Sequence, residues 1–230
     1  MDVDTLEKQA LLGVEHSLLG QSWYTRPVQP YLAEAVAQRA GIADAVARVI
    51  AARGIDLEGV EAFLNPSLRD GLPNPSVLID MDKAADRLAH AVINREPIVV
   101  FGDYDVDGAT SSGVFMRYIG AIGGLVSAYI PDRLKEGYGP NISALEGIAT
   151  QGARVLVTVD CGIQAFDAID AGTRAGMDVL IIDHHKAEPE LPNAVATVNP
   201  NRLDDESGLG HLAAVGVTYL LIIAVNRTLR

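Results

Sequence analysis

Residues 98–108 read Ile98-Val99-Val100-Phe101-Gly102-Asp103-Tyr104-Asp105-Val106-Asp107-Gly108. Four apolar residues, three of them β-branched, predict a short strand buried on both faces. The strand runs straight into a turn that carries carboxylates at alternate positions and closes on a glycine. Three further apolar runs repeat the arrangement. Residues 126–130 lead into Pro131-Asp132-Arg133, residues 155–159 into Asp160-Cys161-Gly162, and residues 179–182 into Asp183-His184-His185. Residues 194–198 supply a fifth strand. Helical stretches at 111–122, 142–150 and 164–175 separate the strands, and an amphipathic helix at 80–94 precedes them. This alternation predicts an α/β fold, a parallel sheet with helices on both faces. Ligands of such sheets bind beyond the carboxyl ends of the strands, so all four polar turns fall at one edge.

Before residue 75 the pattern differs. Helical periodicity covers 31–39 and 42–53, punctuated by Gly41 and Gly54, and 57–64 stops before Asn65-Pro66. The cluster Asp70-Gly71-Leu72-Pro73-Asn74-Pro75 is a linker signal. The expected organisation is therefore a short helical N-terminal region and linker over 1–75, followed by the α/β domain over 76–230. The longest apolar stretch, 212–225, is interrupted by Gly216 and Thr218 and falls short of the ~20 residues of a membrane span. It reads as a buried helix, with no membrane association expected. The single cysteine, Cys161, excludes a disulfide framework and points to a reducing cytoplasm. The acidic start Met1-Asp2-Val3-Asp4 does not look like a signal peptide. A net charge of −12 is the opposite of the usual nucleic-acid footprint. Many of the acids, however, gather where cations would neutralise them.

The turn at Asp103-x-Asp105-x-Asp107-Gly108 starts like a calcium-binding EF-hand loop. The twelfth position is Val114 rather than Glu, and a strand rather than a helix precedes it, so that reading fails. Read as an extended segment, the turn points Asp105 and Asp107 the same way, into a volume where like charges are costly without cations. Thr110, Ser111 and Ser112 would then open the next helix, whose free N–H groups suit a phosphate. A capped turn with solvated acids remains open for this motif alone. In Asp183-His184-His185, imidazole with carboxylate suits Mn²⁺, Zn²⁺ or Fe. The adjacent rings are expected to divide the work, one on metal and one on substrate. Cys161 is expected to pack as a small buried hydrophobe. The loop 133–141 carries Arg133, Lys135, Tyr138 and two glycines, a composition suited to phosphate and base contacts, although by itself an ordinary surface loop. In Ser207-Gly208-Leu209-Gly210-His211, His211 either touches phosphate or caps and packs.

Together these motifs resemble the DHH phosphoesterase superfamily, in its RecJ-like single-strand-specific exonuclease branch. The triplet Asp183-His184-His185 is the family's signature, Gly102 to Ser111 resembles its first motif and Val157 to Gly162 its second. The Gly137-Tyr138-Gly139 loop and the leader segments 61–66 and 81–84 are similar to RecJ-like sequences as well. The resemblance implies metal-dependent hydrolysis of single-stranded DNA from the 5′ end, in DNA repair and recombination, with two Mn²⁺ (or Mg²⁺) ions. By that resemblance Asp105, Asp107, Asp160 and His184 are the metal ligands, with Asp160 bridging. Asp103 supports or ligates the first ion, and His185 binds the scissile phosphate. Arg133, Tyr138, His185 and His211 contact substrate. Single-stranded DNA and DNA repair proteins are the implied partners; the oligomeric state is open.

Two features depart from the family pattern. A further metal-binding Asp is expected after the apolar helix, beyond Arg230, so the domain is expected to be incomplete at its C-terminus and inactive alone. Some relatives carry a His where this chain has Phe101. Two alternatives stay open: another DHH phosphoesterase acting on cyclic dinucleotides, short oligonucleotides or pyrophosphate, and a binding scaffold without chemistry.

Overall fold

The computed structural model describes residues 10–24, 26 and 28–230; the acidic start discussed above lies outside them. The chain divides into two compact units, residues 1–72 and 73–230. The first holds helices α1 (Pro30–Ala40), α2 (Asp44–Ala51), α3 (Val60–Leu64) and α4 (Leu68–Gly71). Val36, Ala47, Ile50 and Val60 form its small core. Gly41 ends α1 in the left-handed conformation, as a helix-terminating glycine does. The fourth helix was not expected, because Asp70 and Gly71 read as linker. Ser67 explains it: its Oγ accepts the Asp70 N–H, and its hydroxyl donates to the Asp70 carboxylate at 2.7 Å.

The second unit contains five parallel strands in the order β2-β1-β3-β4-β5. They are β1 (Pro97–Gly102), β2 (Leu125–Tyr129), β3 (Val155–Val159), β4 (Asp178–Ile182) and β5 (Ala196–Val198). Successive side chains point to opposite faces, so each strand feeds two cores. On one face Ile98, Val100, Val157, Leu180 and Val198 pack against α5 (Met81–Ile93), α6 (Val106–Ala121) and α9 (Ala214–Thr228). On the other, Phe101, Leu156, Val179 and Ile181 meet α7 (Ile142–Thr150) and α8 (Phe166–Arg174). This is the α/β sheet covered on both faces. The apolar run near the C-terminus is α9, buried along α5 and α6, and no described helix is long and apolar enough to cross a membrane.

Two expectations are corrected. Residues 126–130 read like the other buried strands, but β2 lies at the sheet edge, with Leu125, Ser127 and Ala128 exposed. An apolar run does not reveal its place in the sheet. The turn after β1 is also not extended through Asp107. Asp105 is the N-cap of α6, its Oδ1 accepting the N–H of Asp107 at 2.9 Å and of Gly108 at 3.1 Å. The helix thus starts five residues before Ser111. Ser111 and Ser112 are buried in its second turn rather than opening it toward a ligand.

Candidate metal centre

The order β2-β1-β3 makes the chain change direction at β1, and a crevice is expected beyond the carboxyl ends of β1 and β3. Asp103 and Asp105 leave β1, Asp160 leaves β3, and Asp183, His184 and His185 leave β4. One carboxylate oxygen each from Asp103, Asp105 and Asp160 lies within 4.8 Å of the other two. Asp160, His184 and His185 form a second group within the same limit, so Asp160 is common to both.

Asp160 is held in the left-handed region, φ 60°. That conformation costs a non-glycine residue of order 1–3 kcal/mol and persists where surroundings enforce it. Here its N–H donates to the Ile182 carbonyl at 3.0 Å, and the Tyr138 hydroxyl donates to its carbonyl at 3.2 Å. Oδ1 of Asp103 and Oδ1 of Asp160 are buried without a hydrogen-bond partner among the described residues. Burial pushes the Asp160 carboxyl up to about 7, and the facing Asp105 carboxylate adds to the shift. Burial also raises Asp103, only partly opposed by the Tyr104 N–H, with Asp105 again adding. The Gly108 N–H outweighs burial at Asp105 and lowers it. Three carboxylates converging in one volume, two with orphaned buried oxygens, are what a bound divalent cation would relieve. Imidazole alongside them favours Mn²⁺ over an all-oxygen ion such as Ca²⁺.

The histidines are held from behind. His184 Nδ1 lies 3.0 Å from the Leu212 carbonyl, which can only accept, so Nδ1 carries the proton. Nε2 points at Asp160, 3.2 Å from its Oδ1. Asp183 is fully buried. Its Oδ1 accepts the N–H groups of His184 at 2.7 Å and His185 at 3.1 Å and the His185 ring Nδ1 at 2.7 Å, while Oδ2 accepts the Ile163 N–H at 3.1 Å. Burial raises its pKa, but the His185 ring and these N–H donors together outweigh it and leave the carboxyl below its ordinary range. The same contact raises His185, against its own partial burial.

Arg133 and Tyr138 flank this centre. The Arg133 guanidinium sits over the Tyr104 ring, 5.1 Å from its centroid. The Tyr138 ring meets His185 edge-on at 6.2 Å. Glu136 fixes the loop between them, accepting from the Tyr129 hydroxyl at 2.6 Å and the Asp132 N–H at 2.8 Å. Cys161 is buried and its thiol pushed well up by burial, as a packing residue.

Not every expected residue joins. Asp107 belongs to neither group within the 4.8 Å limit, because the helix starts at Val106 and turns its side chain away from the direction an extended segment would give. His211 is exposed and also outside both groups; its neighbour Leu212 makes the contact instead, through a carbonyl. Phe101, where some relatives were expected to carry His, is fully buried and stacked on Tyr129 at 5.2 Å.

The profile of the DHH family, N-terminal domain, matches residues 97–229. This chain belongs to the DHH family. Among curated relatives it is similar to the single-stranded-DNA-specific exonuclease RecJ of Bacillus subtilis, 39% identical over 181 residues, covering 78% of this chain and 23% of that protein. RecJ of Dickeya dadantii is 36% identical over 168 residues, covering 73% of this chain and 29% of the relative. The chain thus spans less than a third of the length of these relatives. Among solved structures, exonuclease RecJ bound to manganese is 31% identical with a TM-score of 0.60, over 66% of this chain and 38% of that one. RecJ from Thermus thermophilus in complex with Mn²⁺ shares the fold, with a TM-score of 0.70 at 24% identity, over 88% of this chain and 28% of that one.

Motif reading missed residues that support the site. Tyr104 lies inside the first motif, yet its stacking on Arg133 needs a loop 29 residues on. The side-chain amides of Asn199 and Asn201 donate to the carbonyl groups of His185 and His184, and Asn199 Oδ1 accepts the Asn201 N–H. Their only sequence signal is an Asn-Pro-Asn turn directly after a strand.

Proposed function

We propose that this chain carries the catalytic core of a divalent-metal-dependent phosphodiesterase that degrades single-stranded DNA from its 5′ end, in DNA repair and recombination. The observation that carries the reading is the pair of ligand groups sharing Asp160, with buried, unpartnered oxygens on Asp103 and Asp160. In this reading Asp103, Asp105 and Asp160 hold one cation, and Asp160 with His184 holds the second. Asp107, outside both groups, stays a candidate ligand on the resemblance alone. The ions, when bound, supply Lewis-acid stabilisation of charge on attacking and leaving oxygens and ease deprotonation of water.

The chain's own residues do the rest. Asp183 keeps the His185 Nδ1 proton and favours the charged ring, which suits a phosphate oxygen. Arg133, braced by Tyr104, and Tyr138 engage the strand on one side of the crevice. The likeness to RecJ exonucleases supports single-stranded DNA as substrate, and the RecJ structures with bound manganese support the choice of ion. A cytoplasmic setting alongside DNA repair proteins is part of the same proposal. Because the chain spans less than a third of the length of the RecJ relatives, metal binding is tested on this chain and hydrolysis on a longer form that covers their full length.

Titration calorimetry with Mn²⁺ on this chain and its Asp160→Asn variant tests the ion site. End-labelled single-stranded and duplex oligonucleotides, cyclic dinucleotides and pyrophosphate, offered to the longer form with and without Asp105→Ala, test the substrate. Preferential, Mn²⁺-dependent loss of 5′-labelled single strands is expected. Turnover of cyclic dinucleotides or pyrophosphate alone would overturn the assignment of substrate.

A further inference from the structure

The two histidines are adjacent in the chain, and their peptide is gripped from both sides. Asp183 takes both N–H groups. Both carbonyl groups are taken by carboxamides of one turn, Asn199-Pro200-Asn201, which follows β5. Asn199 is fully buried; its Nδ2 donates to the His185 carbonyl at 2.9 Å, and its Oδ1 accepts the Asn201 N–H at 2.7 Å. Asn201 Nδ2 donates to the His184 carbonyl and to the Gly210 carbonyl at 3.3 Å. The turn is anchored on its other flank by Arg202. That side chain is 8% exposed and binds Asp80 at 3.0 Å, Asp204 at 2.8 Å and the Thr197 carbonyl at 2.6 Å.

Asn201 therefore joins two segments that both act on one imidazole. One is the backbone of His184. The other is the loop through Gly210, which ends in the Leu212 carbonyl that holds His184 Nδ1. If either segment shifts, the ring loses its fixed tautomer or its aim at Asp160. Gly210 fits the same account, because a Cβ there would stand 2.5 Å from Asn201 Oδ1. Main-chain satisfaction alone would be met by any donor, including water on this partly exposed side. A carboxamide that bridges the histidine and its orienting loop is more than such satisfaction requires.

We propose that Asn201, seated by Asn199, is a positioning residue that sets the tautomer and direction of the His184 ring for metal binding. The proposal rests on the reading of His184 as a metal ligand. Outer-shell partners of this kind change metal affinity by about ten- to a hundredfold. In Asn201→Asp the shape is kept, but the donor becomes an acceptor facing two carbonyls. Gly210→Ala displaces the Asn201 side chain without altering it. Mn²⁺ affinity, by calorimetry, is expected to fall at least about tenfold in both variants. In the metal-free protein, nitrogen NMR of the histidine rings is expected to show His184 protonated at Nδ1 in the parent and a tautomer mixture in both variants. Circular dichroism confirms that the variants fold. Folded variants with parental Mn²⁺ affinity would overturn the proposal while leaving the metal site standing. An unchanged His184 tautomer in both would overturn it as well. A parent chain that bound no Mn²⁺ would instead overturn the metal reading, and the tautomer would still decide whether Asn201 positions the ring.

Discussion

Replacing Gly108 by alanine should unseat the first motif, and the structure sets the scale. A Cβ at Gly108 would stand 2.3 Å from the Asp103 carbonyl oxygen, 2.5 Å from its nitrogen and 2.6 Å from its carbonyl carbon. All three are backbone atoms, so no side chain can swing aside. Restoring ordinary contact requires the 103–105 turn and the start of α6 to part by about 1 Å, and buried overpacking of this kind costs about 3 kcal/mol. For a domain of this size that lowers Tm by about 6–12 °C. The same displacement moves Asp103 and Asp105, so Mn²⁺ affinity should fall by at least about tenfold. Gly113 is the control. It lies in the same helix with nothing within 4 Å of a built Cβ, and alanine there should stabilise by up to about 1 kcal/mol through helix propensity. Thermal denaturation by circular dichroism, with and without Mn²⁺, reads both. A Gly108→Ala protein that melts with the parent and binds Mn²⁺ equally would refute the packing argument for this turn.

Three other substitutions probe separate links. Asp160→Asn removes a buried charge facing Asp105, so the metal-free Tm should rise slightly while stabilisation by Mn²⁺ largely disappears; retention of the full Mn²⁺ effect would exclude Asp160 as a shared ligand. Tyr104→Ala releases Arg133 from its cation–π contact, worth about 0.5–1 kcal/mol, and should raise KM for single-stranded DNA in the longer form about two- to fivefold with kcat little changed, whereas Tyr104→Phe should keep parental values. Glu136 is held below its ordinary pKa, first by the Tyr129 hydroxyl and then by the Asp132 N–H. Its contribution to stability is therefore present above the ordinary glutamate range and lost as pH falls through the lowered value. The Tm difference between the parent and Tyr129→Phe should shrink on acidification below about pH 4, and a difference independent of pH would count against that contact.

Much of this protein is determined by local pattern. Apolar runs of strand length, separated by helix-length stretches, specify a parallel sheet, because only a sheet covered on both faces buries strands that are apolar on both sides. Once the sheet is parallel, its turns share one edge. The gathering of Asp105, Asp160 and His184 at one edge was legible for that reason, and the composition of the motifs made a cation the natural counter-charge. Tertiary structure alone decided the rest. Residues 126–130 became an exposed edge because strand order depends on how helices pack, not on the strand's own composition. Asp107 fell outside the ligand groups because Asp105 capped a helix one residue later, a choice between extended and helical backbone that the alternating acids did not reveal. The Leu212 carbonyl, Asn199 and Asn201 reach the histidines across 14 to 28 residues of chain, through contacts set by the register of β4 on β5 and the seating of α9. Such partners are backbone carbonyls and neutral amides. They carry no charge pattern to mark them, and only the folded chain brings them to the metal ligands they hold.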